Sequence, residues 1–447
     1  MALTLYGYQL KKSEIDNEHH TKGCLSVKPY VPSVFVKPQF VRRYNVYVES
    51  ENYLYVPKHY GIQQFGPYKT STRNVDQTSD EFWKFNGKIR DIQISVVNSF
   101  LKPEPHDGII SLQTGGGKTV CALYIASQLK LPTIVLVHNT FLRDQWIERI
   151  ETFLPNARIG KIEGDIIDTD KDITVAMLQS ISLKEYDQSV FQKIGLVIVD
   201  ECHHIASEAF SQAIPKLTSK YMLGLSATPE RKDKLMHVIN WFLGPLLYKS
   251  DTEDKIDSDV LVEYYEYEPE DPKFNEIILN PSGVMFTSLM INKVVDCEHR
   301  TRWIIEILKD VYEEGRQILV LSDRVEHTEH VFNLLPDEIK NNSCILSRKI
   351  TAIQRAEWCS SKKILIATYQ MCKEGFDVPS LNTLVMATSR PDVDQIVGRI
   401  MRVEKTKREI KPLIIDIVDP PFRRQFQERL QLYRKRNYQI QKTEFGL

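Results

Sequence analysis

The stretch Ile109-Ile110-Ser111-Leu112-Gln113-Thr114-Gly115-Gly116-Gly117-Lys118-Thr119 runs from an apolar segment through three consecutive glycines to a lysine and a threonine. A helical pattern, Val120 to Lys130, follows at once. Three glycines let backbone N–H groups approach polyphosphate oxygens without Cβ clashes, and the N-terminus of the following helix adds partial positive charge. In such a cradle Lys118 reaches the β and γ phosphates and the Thr119 hydroxyl holds Mg2+. Gln113, Thr114, Gly115, Gly116, Gly117, Lys118 and Thr119 are therefore the candidate phosphate-binding residues. Leu112 stands where the full motif carries its first glycine, so the match is to Gly-Lys-Thr in a glycine-rich setting. A turn that merely joins a strand to a helix is the bland alternative, and the strand-loop-helix order weighs against it.

Downstream of the loop, apolar runs alternate with amphipathic stretches of helix length. Thr133 to Val137, Ile173 to Met177, Gly195 to Val199 and Met222 to Leu225 form one series. Ile318 to Leu321, Cys344 to Leu346, Lys363 to Ala367, Thr383 to Met386 and Pro412 to Asp416 form a second. Strands this uniformly apolar, spaced by helices, predict parallel sheets covered on both faces. The fold class is α/β, with two tandem parallel-sheet domains. Ahead of them Cys24 to Val27, Val34 to Val36 and Tyr44 to Val48 read as short strands broken by Pro29, Pro32 and Pro38, which predicts a small β-rich N-terminal domain. The expected boundaries are 1–85, 86–248 and 249–447, with a polar linker from Gly66 to Asp80, an acidic connection and edge strand from Leu246 to about Glu276, and a basic helix from Phe422 to Tyr438.

At 447 residues, 42% hydrophobic and 26% charged, the chain has the length for two to four domains and the composition of a soluble globular protein, which excludes a disordered one. A net charge of −1 leaves nucleic-acid binding to local patches. One such patch is residues 1–90, with 9 Lys and 4 Arg against 8 acidic residues, a net of +5, and Tyr30, Phe35, Phe40, Tyr44, Tyr47, Tyr53 and Tyr55 interleaved. Basic and aromatic residues together suit nucleic acid; a solvated surface over an aromatic core accounts for the same pattern equally well. Seven scattered cysteines without a CxxC pair suit reduced thiols, and no apolar run reaches the ~18 residues of a membrane span. The expected location is cytoplasmic.

A second element gives the phosphate cradle its chemistry. Leu196-Val197-Ile198-Val199-Asp200-Glu201-Cys202-His203-His204 is an apolar strand ending in two carboxylates. Asp200 is placed to coordinate Mg2+, directly or through water, and Glu201 to orient or deprotonate an attacking water. Adjacent Cys202, His203 and His204 cannot all converge on one tetrahedral ion, so zinc is not expected here. Near the other end of the chain, Arg399 and Arg402 lie three apart and share one face if the segment is helical; either alone reads as a surface arginine, and within Gln-x-x-Gly-Arg-x-x-Arg the balance shifts to arginine fingers that neutralise charge in phosphoryl transfer.

These motifs and their order resemble superfamily 2 helicases and translocases with a D-E-C-H box, over about residues 88–440. On that resemblance Arg90 and Gln93 match the element that reads adenine, Gln113 to Thr119 motif I, Asp200 to His203 motif II, and Ser226-Ala227-Thr228 motif III, to which His203 is linked. His138 to Trp146 and Ala176 to Ser180 fall where the family contacts nucleic acid. Ser322-Asp323-Arg324 suits motif IV, Thr368 to Pro379 with Gly375 and Asp377 motif V, and Gln395 to Arg402 motif VI. The resemblance implies RecA-like domains, ATP and Mg2+ as cofactors, and catalytic roles for Lys118, Asp200, Glu201, Arg399 and Arg402. Leu54 to Gly61, the compact core and the basic tail are similar to phage branch-migrating and reannealing helicases and to related repair helicases, which implies branched or forked DNA as partner. RNA-dependent ATPases and duplex-translocating motor subunits share the same motifs.

Overall fold

The computed structural model describes residues 1–30, 41–113, 115–204, 208–227, 234–250, 259–281, 283–347, 350–373, 378, 380–401, 403 and 408–444. The strand expected at Val34 to Val36 and the acidic run 251–258 lie outside them. The chain divides into two compact units, Met1–Ser250 and Asp251–Leu447.

In the first unit an eight-stranded sheet has the order Ile166–Asp168, Ile159–Glu163, Ile173–Met177, Thr133–Val137, Leu196–Val199, Tyr221–Ser226, Gly108–Ser111, Leu246–Lys249. Every pairing is parallel except that of Ile166–Asp168. The central strands are buried along nearly their whole length, as the continuous apolar runs require of a sheet covered on both faces. Register then sets the site. Ser111 pairs with Ser226, and Val199 pairs with both Gly224 and Leu136, so three loops leave the carboxyl ends of neighbouring strands side by side. That edge is where open α/β sheets bind ligands.

The N-terminal segment departs from the expected strands. Cys24 ends a helix, Glu18–Cys24, because Asn17 Oδ1 accepts from His20 N at 2.8 Å and caps it, leaving only Ser26–Val27 extended. The run Tyr44 to Val48 splits, Tyr44–Asn45 joining Ser26–Val27 and Val48–Glu49 joining a separate five-stranded sheet. In that sheet Tyr53–Val56 alternates half-buried tyrosines with buried Leu54 and Val56, while Tyr8 and Tyr60 are buried. Among the described residues the aromatic rings thus divide between the core and more exposed positions, while Phe35 and Phe40 lie outside them.

The Gly66 to Asp80 segment is no free linker. Thr70–Ser71 pairs with the N-terminal strand, and buried Arg73 donates to the carbonyls of Phe191 (2.9 Å), Gln192 (3.0 Å) and Ile194 (2.8 Å). A guanidinium there satisfies carbonyls that the short helix Ser189–Gln192 leaves open at its C-terminus. A second tie is ionic: Asp107, buried, accepts from Lys58 Nζ (2.7 Å), His59 Nε2 (2.8 Å) and Met222 N (3.0 Å). Burial works to raise the Asp107 pKa, but Lys58 and His59 outweigh it and hold the carboxyl below its ordinary range. Its contribution is therefore present above the ordinary carboxylate pKa and lost as pH falls through the lowered folded-state value. Asp107→Asn leaves the buried Lys58 ammonium without its counter-charge, bonded only to the carbonyls of Ser219 and Lys220, and the expected loss of stability is about 3–5 kcal/mol, read by chemical denaturation; an unchanged midpoint would show that the pair does not hold the segment.

The second unit is a seven-stranded, wholly parallel sheet in the order Ser343–Leu346, Ile364–Thr368, Ile318–Ser322, Thr383–Met386, Leu413–Val418, Leu261–Glu266, Gln439–Lys442. The basic helix forms over Arg423–Lys435, yet Arg429 is buried, donating to Asp416 at 2.7 and 2.8 Å while the Tyr433 hydroxyl donates to the same carboxylate. Among the described residues no helix is long and apolar enough to cross a membrane.

Candidate active site

The phosphate loop leaves the strand Gly108–Ser111 and enters the helix Lys118–Leu129. Gly115 and Gly117 take φ of +83° and +85°, left-handed values that the missing Cβ makes accessible. A Cβ on Gly117 would also stand 2.2 Å from Gln93 Nε2, so a side chain there would displace the Gln93 carboxamide from the loop. Leu112 N donates to Ser226 O at 3.0 Å, stitching the loop to the neighbouring strand end. Lys118 and Thr119 open the helix, and Thr114 lies outside the described residues.

Gln93 is buried beneath this loop, donating from Nε2 to Gly116 O at 3.2 Å and accepting Arg90 N at Oε1 at 3.1 Å. Both ends of the carboxamide are thus engaged by backbone, and Arg90 itself is exposed at the start of helix Asp91–Leu101.

Opposite the loop, Asp200 and Glu201 follow the strand Leu196–Val199. Asp200 is buried, and each of its oxygens has a donor: Trp146 Nε1 to Oδ2 at 2.9 Å and Glu201 N to Oδ1 at 2.9 Å. Burial raises its pKa above the ordinary range, the Glu201 charge adds to the rise, and Lys118 opposes it. Glu201 holds φ of +46°, rare for a residue with a side chain, and a conformation whose cost concentrates at functional sites. Its Oε1 meets Lys118 Nζ at 2.8 Å, and its Oε2 lies 3.4 Å from His203 Nδ1. His203 Nδ1 is also 3.2 Å from Ser226 Oγ, joining the second acidic element to the end of the next strand. The donor set of Thr119 hydroxyl and Asp200 carboxylate, all oxygen, suits a hard divalent cation such as Mg2+.

In the second unit Asp323 accepts from Arg390 Nε at 2.8 Å and from Thr388 Oγ1 at 3.2 Å. Arg399 donates from Nη2 to Cys372 O at 3.1 Å, which brings the arginine against the helix Tyr369–Lys373. The helix before Arg399 covers only Asp394–Val397, and Arg399 N and Ile400 N donate three residues back, to Ile396 O and Val397 O, a tighter turn that begins at Gly398. Gly375, Asp377 and Arg402 lie outside the described residues.

Sequence reasoning missed Trp146. It falls in the segment His138 to Trp146, but nothing in its spacing signals that the indole reaches a carboxylate 54 positions later.

Residues 86–231 match the family described as the res subunit of type III restriction enzymes. "Putative ATP-dependent RNA helicase L396" of Acanthamoeba polyphaga mimivirus is 31% identical over 456 residues, covering 98% of this chain and 86% of that protein. The DNA 3'-5' translocase XPB2 of Sulfurisphaera tokodaii is 38% identical over 167 residues, 37% of each chain. Among solved structures, S. cerevisiae Dbp5 bound to RNA and ADP BeF3 has a TM-score of 0.56 at 15% identity, covering 80% of this chain and 90% of that one, a likeness of fold.

Proposed function

The chain belongs to the superfamily 2 helicases, and from that premise we propose that it is an ATP-dependent DNA helicase or translocase that acts on branched DNA, unwinding or reannealing at forks and junctions. The observation that carries the ATPase half of this reading is the Lys118–Glu201 contact of 2.8 Å beside a buried, doubly hydrogen-bonded Asp200. A cation for phosphates, an acid for a metal and an acid for water stand together at one sheet edge. An inert fold has no need of that set.

In this reading the loop N–H groups and Lys118 bind the β and γ phosphates, and Glu201 takes the proton of the attacking water or orients it. Thr119 and Asp200 hold Mg2+, which when bound neutralises charge on the phosphates. Arg90 and Gln93 contact adenine; Gln93, already tied to Gly116 O, then joins adenine recognition to the shape of the phosphate loop. Arg399 and Arg402 supply the cations that stabilise the transition state, and Gly375 and Asp377 complete the nucleotide contacts.

DNA as the polymer is supported by the 38% identity to a protein named a DNA translocase and by the basic, aromatic composition of residues 1–90. RNA is the second reading, favoured by the name of the mimivirus relative. Steady-state ATPase at one fixed salt, with single-stranded DNA, duplex, fork, four-way junction and single-stranded RNA in turn, separates them. Forks or junctions are expected to stimulate most; strongest stimulation by RNA would overturn the DNA assignment. Because phosphate contacts dominate such binding, the salt must not vary between arms.

A further inference from the structure

Trp146 sits within the helix Thr140–Phe153, which Asn139 caps by accepting Leu142 N at 2.8 Å. The helix begins inside the segment His138 to Trp146, where nucleic acid is expected to bind. The indole is 1% exposed and packs in the same core as Leu142, Ile150, Val135 and Val137, so its position is fixed by the helix and by the strand before it. That strand, Thr133–Val137, lies beside the strand that carries Asp200: Leu136 pairs with Val199, and Asp200 N donates to Leu136 O at 3.1 Å. The acid is thus held by the strand through backbone and by the helix through the indole.

The indole contact is chemically one-sided. Nε1–H is a donor only, so it favours the ionised carboxylate and cannot take part in proton transfer. Removal of a buried carboxylate from water is costly unless such donors replace it. One Asp200 oxygen is already held by Glu201 N from its own loop, so the orientation of the other rests on a residue from a different element. Rotation of the helix about its axis would move the indole and release that oxygen.

Resting on the reading of Asp200 as the cation ligand of the ATP site, we propose that Trp146 is a positioning residue of that site, its indole N–H setting the carboxylate for Mg2+ from the helix that starts at the nucleic-acid segment. The role is distinct from the His203–Ser226 contact, which touches Glu201 and the neighbouring strand end.

Two replacements test it. Trp146→Phe removes the N–H and some volume; Trp146→β-(3-benzothienyl)alanine keeps the ring volume and replaces only N–H by sulfur, so a folding defect in the first does not leave the question open. The readouts are Mg2+-dependent binding of a fluorescent, non-hydrolysable ATP analogue, and kcat and KM for ATP at saturating Mg2+. The isostere is expected to melt near the wild-type temperature, to need roughly 10- to 100-fold more Mg2+ for half-maximal analogue binding, and to lose kcat with KM changed less than about twofold, as loss of a partner that orients a metal ligand does elsewhere. An isostere that binds the analogue with the wild-type Mg2+ dependence overturns the proposal and leaves Trp146 a packing residue. A wild-type protein that binds no analogue with Mg2+ would instead sink the ATPase reading itself.

Discussion

The Glu201→Gln protein is expected to bind ATP at least as tightly as the wild type and to hydrolyse it about 10²- to 10⁴-fold more slowly, the range that a positioned general base supplies. Two features of the site give the sign of each effect. Lys118 Nζ is 2.8 Å from Glu201 Oε1, so a triphosphate must compete with the glutamate for the same ammonium. Removal of the glutamate charge frees Lys118 for phosphate and removes a repulsive neighbour, which favours binding. The same change removes the only oxygen acid in the pair that is not buried as deeply as Asp200, and with it the group that can accept a proton from water. Kd for ATP together with kcat checks both halves; a variant that turns over at the wild-type rate would take Glu201 out of the chemistry.

The positive φ of Glu201 bears on the same result. A side chain in the left-handed region persists only where its surroundings over-determine it. Here Lys118 and His203 meet the carboxylate from two sides, while the backbone N–H of Glu201 is spent on Asp200. Gln keeps the shape and the backbone demand, so the variant tests charge and basicity rather than folding.

Much of the first sheet was legible because its strands are apolar throughout: Leu196–Val199 and Thr133–Val137 have no polar face to confuse helix with strand, and both formed within a residue of expectation. The phosphate loop was legible because three glycines in a row have few other uses. Harder to read were segments whose structure comes from distant partners. The Gly66 to Asp80 segment looked like a linker because it is polar, yet Arg73 finds its acceptors in carbonyls about 120 positions away, which local composition does not encode. Arg429 looked like one of many charges on a basic helix; only the fold places it on Asp416. Trp146 is the same case at the site, an apolar side chain by any pattern and a hydrogen-bond donor in the structure. Arg399 and Arg402 are read on helical spacing; the helix ends at Val397, Arg399 N and Ile400 N donate three residues back, and Arg402 lies outside the described residues.

If hydrolysis of ATP at the Gln113 to Thr119 loop drives work on nucleic acid, Lys118 is the residue whose loss shows it most directly. Lys118→Ala removes the cation from the phosphates and leaves the Glu201 carboxylate without the ammonium now 2.8 Å away. Loss of one preorganised donor of this kind lowers kcat on the order of 10²–10³. On the proposed reading the polymer's phosphates are held by residues other than Lys118, so its loss leaves that binding energy in place. The measurement is polymer-stimulated ATPase turnover and fork-DNA affinity of wild type and Lys118→Ala, side by side at one salt concentration. Turnover is expected to fall by that factor with DNA affinity kept; wild-type turnover in Lys118→Ala would take the loop out of the chemistry.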